Sequence, residues 1–323
     1  MKRKLLEILA CPKCKDHLSG GPGIDDVVDG ELECTGCGET YPVKNSIPRF
    51  VPMDNYAASF GYQWNRFRKE QLDSFNGTTL SADRLWSETA WEKSTLAGQW
   101  VLDAGCGAGR FLDAASASDG EIVGVDISSA VDAAQESLAG RENVHIVQAS
   151  LYELPFRDGT FDRCYCIGVI QHTPDTAKSL RSIARMVKLG GSLAVTIYPR
   201  KGWTKLYSKY WLRPITKRLK KETLLKIVET AMPVAFPVTD VLFRVPLLGK
   251  FFMFTIPVAN YVHEKQLSRE QRYAWAVLDT FDMLSPYYDQ PMTESEAAVT
   301  LNAEGIAAHR SDENGLNMVG RKV

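Results

Sequence analysis

Val101-Leu102-Asp103-Ala104-Gly105-Cys106-Gly107-Ala108-Gly109-Arg110-Phe111 is the stretch on which the reading of this chain turns. A short apolar run ends in an acid, three glycines follow at alternate positions, and helical periodicity begins at Arg110. That pattern predicts a strand, a tight loop and a helix start. A loop with so little side-chain bulk lets a ligand approach its backbone. The next apolar run, Glu121 to Asp126, also ends in an acid. At the tip of a second strand, its carboxylate is placed to accept two hydrogen bonds from a ribose diol. The dinucleotide fingerprint Gly-x-Gly-x-x-Gly needs a third glycine where this chain has Arg110, so a pyrophosphate loop is disfavoured.

The chain has 323 residues, 45% of them hydrophobic, and a net charge of −1, enough for one full α/β domain with additions and with no global pull toward nucleic acid. Lys2-Arg3-Lys4 precedes only a few apolar residues before Cys11-Pro12, and no apolar run reaches the length of a membrane span. A cytoplasmic protein is expected.

Of seven cysteines, four form the pairs Cys11-x-x-Cys14 and Cys34-x-x-Cys37, with nineteen residues between the pairs. This spacing predicts a zinc site rather than a disulfide framework. A segment of about fifty residues buries little core, and zinc ligation contributes folding free energy on the order of 10 kcal/mol. Four thiolates complete a tetrahedron, so the metal is expected to be structural, with His17 left at the surface. Glu31–Cys34 and Thr40–Val43 read as a hairpin across the knuckle. The runs Leu5–Pro12 and Tyr41-Pro42-Val43 to Ile47-Pro48 resemble the small zinc-ribbon family that activates tRNA and protein methyltransferases.

Asp103 with Gly105-x-Gly107-x-Gly109 resembles the first motif of the class I S-adenosylmethionine-dependent methyltransferases, and Phe60-Gly61-Tyr62-Gln63-Trp64-Asn65 resembles a bacterial group of them that carries a fused zinc ribbon. The resemblance implies an α/β, Rossmann-like, seven-stranded fold with an N-terminal zinc ribbon and a helical insert before the last hairpin. It further implies S-adenosylmethionine and structural zinc as cofactors. The cofactor contacts it implies are Asp103, Gly105, Cys106, Gly107, Arg110, Asp126, Ile127, Ser150, Leu151, Ile167, Gly168 and His172. Ser150 stands where the family usually has aspartate, so any contact to the adenine amino group there lacks a charge. The expected division is a ribbon over 1–53, a lid or linker over 54–99 and a methyltransferase domain over 100–323. Tyr62, Trp64 and Arg66 are the expected lid residues.

Thr173-Pro174-Asp175 predicts a helix start with Thr173 as cap. His172, just before it at the carboxyl end of a strand, is the titratable group placed to act as a base or substrate contact. Cys164 and Cys166 read as small buried residues. Residues 203–292 form the unusual insert. Lys201, Lys205, Lys209, Arg213, Lys217 and Lys221 recur every fourth residue beside Trp203, Tyr207, Tyr210 and Trp211, a basic stripe with an aromatic flank that Pro214 must interrupt. A proline-punctuated apolar stretch follows to Tyr261. Such a composition suits a lid over an apolar or lipid-linked acceptor, or a peripheral membrane contact. Asp279 to Asp289 reads as a loop returning to the cleft, with Asp279, Asp282 and Tyr287 as acceptor contacts. Thr293 and Glu296 form a capping box, and a closing hairpin is expected around Glu313-Asn314-Gly315. The acceptor expected is a small, lipid-linked or glycan-linked molecule. The alternatives are an RNA methyltransferase using ribbon and stripe, and a non-catalytic partner that activates another methyltransferase; a homo-oligomer is compatible with the sequence.

Overall fold

Near-continuous apolar runs form the central strands because helices cover both faces of the sheet they build. The computed structural model describes residues 1–20, 26–52, 57–312 and 315–323. Strands β5 (Trp100–Ala104), β6 (Glu121–Asp126), β7 (Val144–Gln148), β8 (Phe161–Ile167) and β9 (Val187–Ile197) run parallel to one another. β11 (Leu316–Lys322) pairs antiparallel with β9, and β10 (Ile306–Asp312) pairs antiparallel with β11. The order across the sheet is β10-β11-β9-β8-β5-β6-β7, with the chain reversing direction of travel between β5 and β8. Helices α5 (Arg110–Ala115), α6 (Ala130–Ser137), α7 (Thr176–Met186) and α12 (Glu294–Asn302) make the crossovers. The capping box of α12 forms as the sequence predicts, with Thr293 Oγ1 accepting from the Glu296 N–H. The turn expected at Glu313-Asn314 lies outside the described residues.

One local expectation changes. The cap of α7 is Asp175, whose carboxylate accepts from the Lys178 N–H at 2.8 Å, while Thr173 follows a short 3-10 turn at Ile170–His172. Helix α7 stops at Met186. Val187 already pairs with Phe161, and residues 188–191 bulge out before Ser192 pairs with Arg163.

The N-terminal sheet is β1 (Leu18–Gly20), β2 (Gly30–Cys34), β3 (Thr40–Lys44) and β4 (Ile47–Pro48), all antiparallel, with the short helix α1 (Arg3–Leu6) before it. It is joined to the large sheet by backbone. The Ala10 N–H donates to Pro155 O at 2.8 Å, the Phe50 N–H to Gln148 O at 2.8 Å, and Lys15 Nζ to Leu154 O at 2.7 Å. Arg49 reaches Gln148 Oε1 at 2.8 Å and Asp132 Oδ1 at 2.5 Å. Leu5, Leu9 and Leu32 share one buried cluster with Leu154, Phe156 and Phe161. The ribbon therefore shares its core with the α/β domain.

Helices α2 (Ala58–Arg66), α3 (Asp73–Asn76) and α4 (Leu80–Thr89) lead into β5. The insert holds α8 (Ser208–Thr216), α9 (Lys221–Leu242), α10 (Gly249–Thr255) and α11 (Arg269–Leu284). α9 and α11 pack through Leu224, Val228, Met232 and Phe236 against Ala276, Val277 and Phe281. Asp279 and Asp282 thus lie in a helix, contrary to the expected loop. Trp275, Leu278 and Phe281 give that segment a buried helical face, and a Ser268–Gln271 capping box starts it. The basic stripe also dissolves. Pro214 sits inside α8, and Lys209 and Arg213 turn inward to Asp289 at 2.8 and 3.9 Å.

Candidate active site and zinc centre

The three glycines after β5 all adopt left-handed backbone, with φ of +93° at Gly105, +52° at Gly107 and +90° at Gly109. At Gly105 a Cβ would lie 2.4 Å from Val169 Cγ1, and at Gly107 it would meet the Trp64 indole at 3.3 Å. The loop is held from both sides, and only glycine fits it without strain. Asp126 closes it. One carboxylate oxygen accepts the Gly107 N–H at 3.0 Å, the other the Ser128 N–H and hydroxyl at 2.8 and 2.7 Å. Burial raises the Asp126 pKa, and these donors oppose the rise.

This loop is one wall of a cavity of about 650 Å³, within the roughly 300–1,000 Å³ of small-molecule sites. Gly105, Cys106, Gly107, Arg110, Asp126, Ile127, Leu151, Ile167, Gly168 and His172 all line it, as the sequence leads one to expect. Two expected contacts do not. Asp103 lies behind the loop, 1% exposed, facing Tyr165 across β5 and β8. Burial raises its pKa well above the carboxylate range. Ser150 spends its hydroxyl on the Tyr152 N–H at 3.2 Å and stays out of the wall. Of the expected lid residues only Trp64 lines the cavity, beside Phe60 and Phe67. Tyr62 packs on Phe281, and Arg66 is an exposed partner of Glu229.

The opposite wall comes from the insert and from residues the motifs did not reveal: Tyr198, Lys209, Tyr261 and Asp289, with Asp279 and Asp282. Asp279 accepts from Gln71 Nε2 at 3.4 Å and from the Tyr261 hydroxyl. Burial, and after it the neighbouring Asp282, push Asp279 up to about 7. Asp282 is raised too, chiefly by burial, against the pull of His172 and the Gln63 amide. Lys209 donates to Asp289 and lies 4.8 Å over the Tyr198 ring. Arg110 crosses between the walls, donating to Ser81 Oγ at 3.0 Å and Gln71 Oε1 at 3.1 Å. Burial, with Arg84 beside it, lowers it to about 10. Tyr287 is a correction: it is 54% exposed outside the cavity, its ring against Tyr288 and under Lys217. It follows the end of α11, and while the Tyr288 carbonyl and Asp289 face the site, the Tyr287 ring is directed outward.

His172 lies between the two walls. Nδ1 is 3.1 Å from the Tyr288 carbonyl oxygen, and a carbonyl only accepts, so Nδ1 carries the proton. Nε2 therefore carries a lone pair, and it has no hydrogen-bond partner among the described residues. Phe60 and Tyr198 flank the imidazole at 5.4 and 5.5 Å, and burial lowers its pKa, keeping it neutral.

The second site is the cysteine cluster. The four sulfurs of Cys11, Cys14, Cys34 and Cys37 lie within 4.8 Å of one another, with Cys11–Cys37 at 3.7 Å and Cys14–Cys34 at 3.4 Å. Tetrahedral zinc with bonds of about 2.3 Å needs sulfurs roughly 3.8 Å apart, so the donor set fits that ion. Tyr41 OH lies 3.2 Å from Cys11 Sγ. No described ribbon residue lines the cavity, but the ribbon holds residues 154–156, three positions beyond cavity-lining Leu151.

The glycine loop, Asp126 and the cavity fit the nucleoside and amino-acid parts of S-adenosylmethionine. The loop exposes backbone with no Cβ to obstruct it, and Asp126 lies at the carboxyl end of β6, where a ribose diol would meet it.

Comparison with known proteins agrees with this geometry. Residues 102–195 match the family described as a methyltransferase domain, and residues 2–46 match the Trm112p-like proteins. The chain is similar to an O-methyltransferase of Aspergillus nomiae, 34% identical over 36% of this chain and 54% of that protein. It is also similar to a demethylmenaquinone methyltransferase of Staphylococcus aureus, 31% identical over 39% of this chain and 60% of that protein. The chain thus spans little more than half the length of these relatives. A complex of the Haloferax volcanii Trm112 methyltransferase activator with a methyltransferase aligns over 84% of this chain and 99% of that one, at 14% identity and a TM-score of 0.45. With the sheet order and the glycine loop, the two family matches mean that this chain carries, in one polypeptide, a Trm112p-like ribbon at residues 2–46 and a methyltransferase domain at residues 102–195.

Proposed function

We propose that this chain transfers a methyl group from S-adenosylmethionine to a hydroxyl of an acceptor with a substantial apolar part, with His172 as the base. The observation that carries the reading is the unpartnered Nε2 of His172. His172 lines a cavity that joins the glycine loop to the aspartates of α11, with Nε2 itself covered by the side chains packed around the ring. An unsatisfied buried acceptor costs about 1–3 kcal/mol, so a fold that keeps one beside a ligand cavity has a use for it.

Bound against the glycine loop, S-adenosylmethionine supplies an electrophilic methyl on a sulfonium, whose bonding pair stays on sulfur as the methyl leaves. Gly105 to Gly107 offer backbone to that ligand, Asp126 its carboxylate to the diol, and Leu151 an apolar edge to the base. Arg110, fixed by Ser81 and Gln71, holds α4 and the approach to α3 against the loop. His172 Nε2 takes the acceptor's hydroxyl proton, and the negative field of Asp282 steadies the imidazolium that results. Nδ1 stays bonded to the Tyr288 carbonyl throughout, which fixes the ring. Phe60 must swing aside to admit the acceptor, a role that suits α2 as a cover. Alignment of donor and acceptor supplies much of the acceleration, up to roughly 7–11 kcal/mol.

The inward turn of Lys209 and Arg213 removes two of the six cations that an RNA footprint needed. The reading is tested by incubating the chain with tritiated S-adenosylmethionine and fractionated lysate. Label in an alkali-stable ether of an organic-soluble fraction is expected. Label in RNA, or none in any fraction, would overturn it.

A further inference from the structure

The outward face of the insert is apolar over several helices. On α9, Ile227, Val234, Val238 and Val241 are all exposed, and at 100° per residue they fall in a stripe roughly 60° wide. On α8, Trp211 and Ile215 are 61% and 67% exposed, and Leu247 and Phe251, at the start of α10, are exposed as well. Proteins that stay free in water rarely leave so many large apolar side chains uncovered within one stretch of about fifty residues. This face is continuous with the cavity mouth, because Tyr207 and Met253 belong to both: each is at least 36% exposed and each lines the cavity.

Charge identifies what covers it. Between 201 and 250 there are eleven Lys and Arg against three Asp and Glu, in a chain whose net charge is −1. Lys209 and Arg213 are drawn inward by Asp289, but Lys201, Lys205, Arg218, Lys220, Lys226 and Lys250 remain exposed on these helices and the segments that lead into them. A second copy meeting this face in a symmetric dimer would set cation against cation. The α9 stripe is wholly aliphatic and gives an RNA base nothing to stack on, and Trp211 and Phe251 beside it suit the headgroup level of a bilayer equally well. Apolar side chains rimmed by cations match an anionic bilayer, where the former enter the acyl boundary and the latter meet headgroup phosphates. Among the described residues no helix is long and apolar enough to cross a membrane, so the contact lies in the plane of the surface.

We propose that the insert docks on anionic lipid bilayers through this face, and that the cavity mouth between Tyr207 and Met253 then opens onto the lipid. The docking stands by itself; that the acceptor is a membrane-resident amphiphile entering by this mouth rests on the methyl-transfer reading above.

The test is flotation of the full chain with vesicles of phosphatidylcholine alone and of phosphatidylcholine mixed with phosphatidylglycerol, at low and high salt. Binding to the mixed vesicles is expected, weaker by roughly tenfold or more without the anionic lipid and weakened by salt. Ile215→Glu with Val238→Glu, and separately Trp211→Glu with Val234→Glu, should each lower the partition by roughly tenfold or more. S-adenosylmethionine affinity, measured by calorimetry on the same samples, reports that the variants are folded and should not change. Two results would overturn the docking: no binding of the unaltered chain to the anionic vesicles, or equal binding by both folded variant pairs. A concentration-dependent dimer abolished by the same substitutions would instead give the face to a second copy. Failure to bind S-adenosylmethionine would sink the methyl-transfer reading and leave the vesicle result standing.

Discussion

His172 Nδ1 and the Tyr288 carbonyl oxygen are 3.1 Å apart, and this contact decides which ring nitrogen of His172 is free. It ties the end of β8 to the chain leaving α11, so the insert sets the tautomer of a residue in the methyltransferase core. Burial lowers the His172 pKa, so the base is neutral, and competent, at and above the ordinary histidine value. The single-turnover rate should therefore be flat above the ordinary histidine range on the histidine's account, with any acid limb lying below it. An acid limb displaced well above pH 7 would show that another group is the base.

Asp279 titrates in the opposite sense. Burial and Asp282 raise it to about 7, so the native chain keeps a proton that the unfolded chain releases at about pH 4. The native state binds more protons across that window, and the contribution of this group to stability falls as pH rises from about 4 to about 7. Thermal melts across that range should show the decline, and Asp279→Asn should flatten it. An unchanged slope in the variant would place the titration elsewhere.

The zinc centre acts at a distance. Through the Ala10–Pro155 and Lys15–Leu154 bonds, the ribbon holds the segment that follows Leu151. Chelation, or Cys34→Ser, should cost several kcal/mol of folding stability and weaken S-adenosylmethionine binding by several-fold. Zinc content, melting temperature and calorimetric affinity should fall together. A zinc-free chain with undiminished affinity would confine the ribbon to a role unconnected with the cavity.

Gly105→Ala places a methyl 2.4 Å from Val169 Cγ1 at a φ of +93°. The backbone strain alone is about 1–2 kcal/mol. Cofactor affinity should drop about tenfold or more, and adding Val169→Ala should recover only part of it, since the left-handed strain persists. Full recovery would show that the side-chain clash was the whole effect.

The glycine loop, the two acid-terminated strands and the paired CxxC motifs were readable in the sequence because each demands a fixed spacing of particular residue types. Ten of the twelve residues expected at the cofactor line the cavity. Asp103 does not, because strand alternation turns it toward Tyr165, and Ser150 does not, because a hydroxyl near its own backbone closes a turn. The acceptor wall was poorly legible. Asp279 and Asp282 were visible as acids, but their helix was hidden by the apolar and proline-rich stretch before it. Asp289 and Lys209 meet across 80 residues of chain, a contact that no local pattern carries. The fourfold lysine spacing misled for the same reason, since tertiary partners decide which cations face water.

The central claim is that His172 Nε2 takes the acceptor proton in a cavity that binds S-adenosylmethionine independently of it. The most direct measurement compares the unaltered chain with His172→Gln, reading calorimetric S-adenosylmethionine affinity and labelled-methyl transfer into the accepting fraction side by side. Affinity within about twofold and transfer reduced by roughly 10²–10⁴-fold is the result predicted. Transfer that survives the substitution, or a loss of transfer matched by an equal loss of cofactor binding, would contradict it.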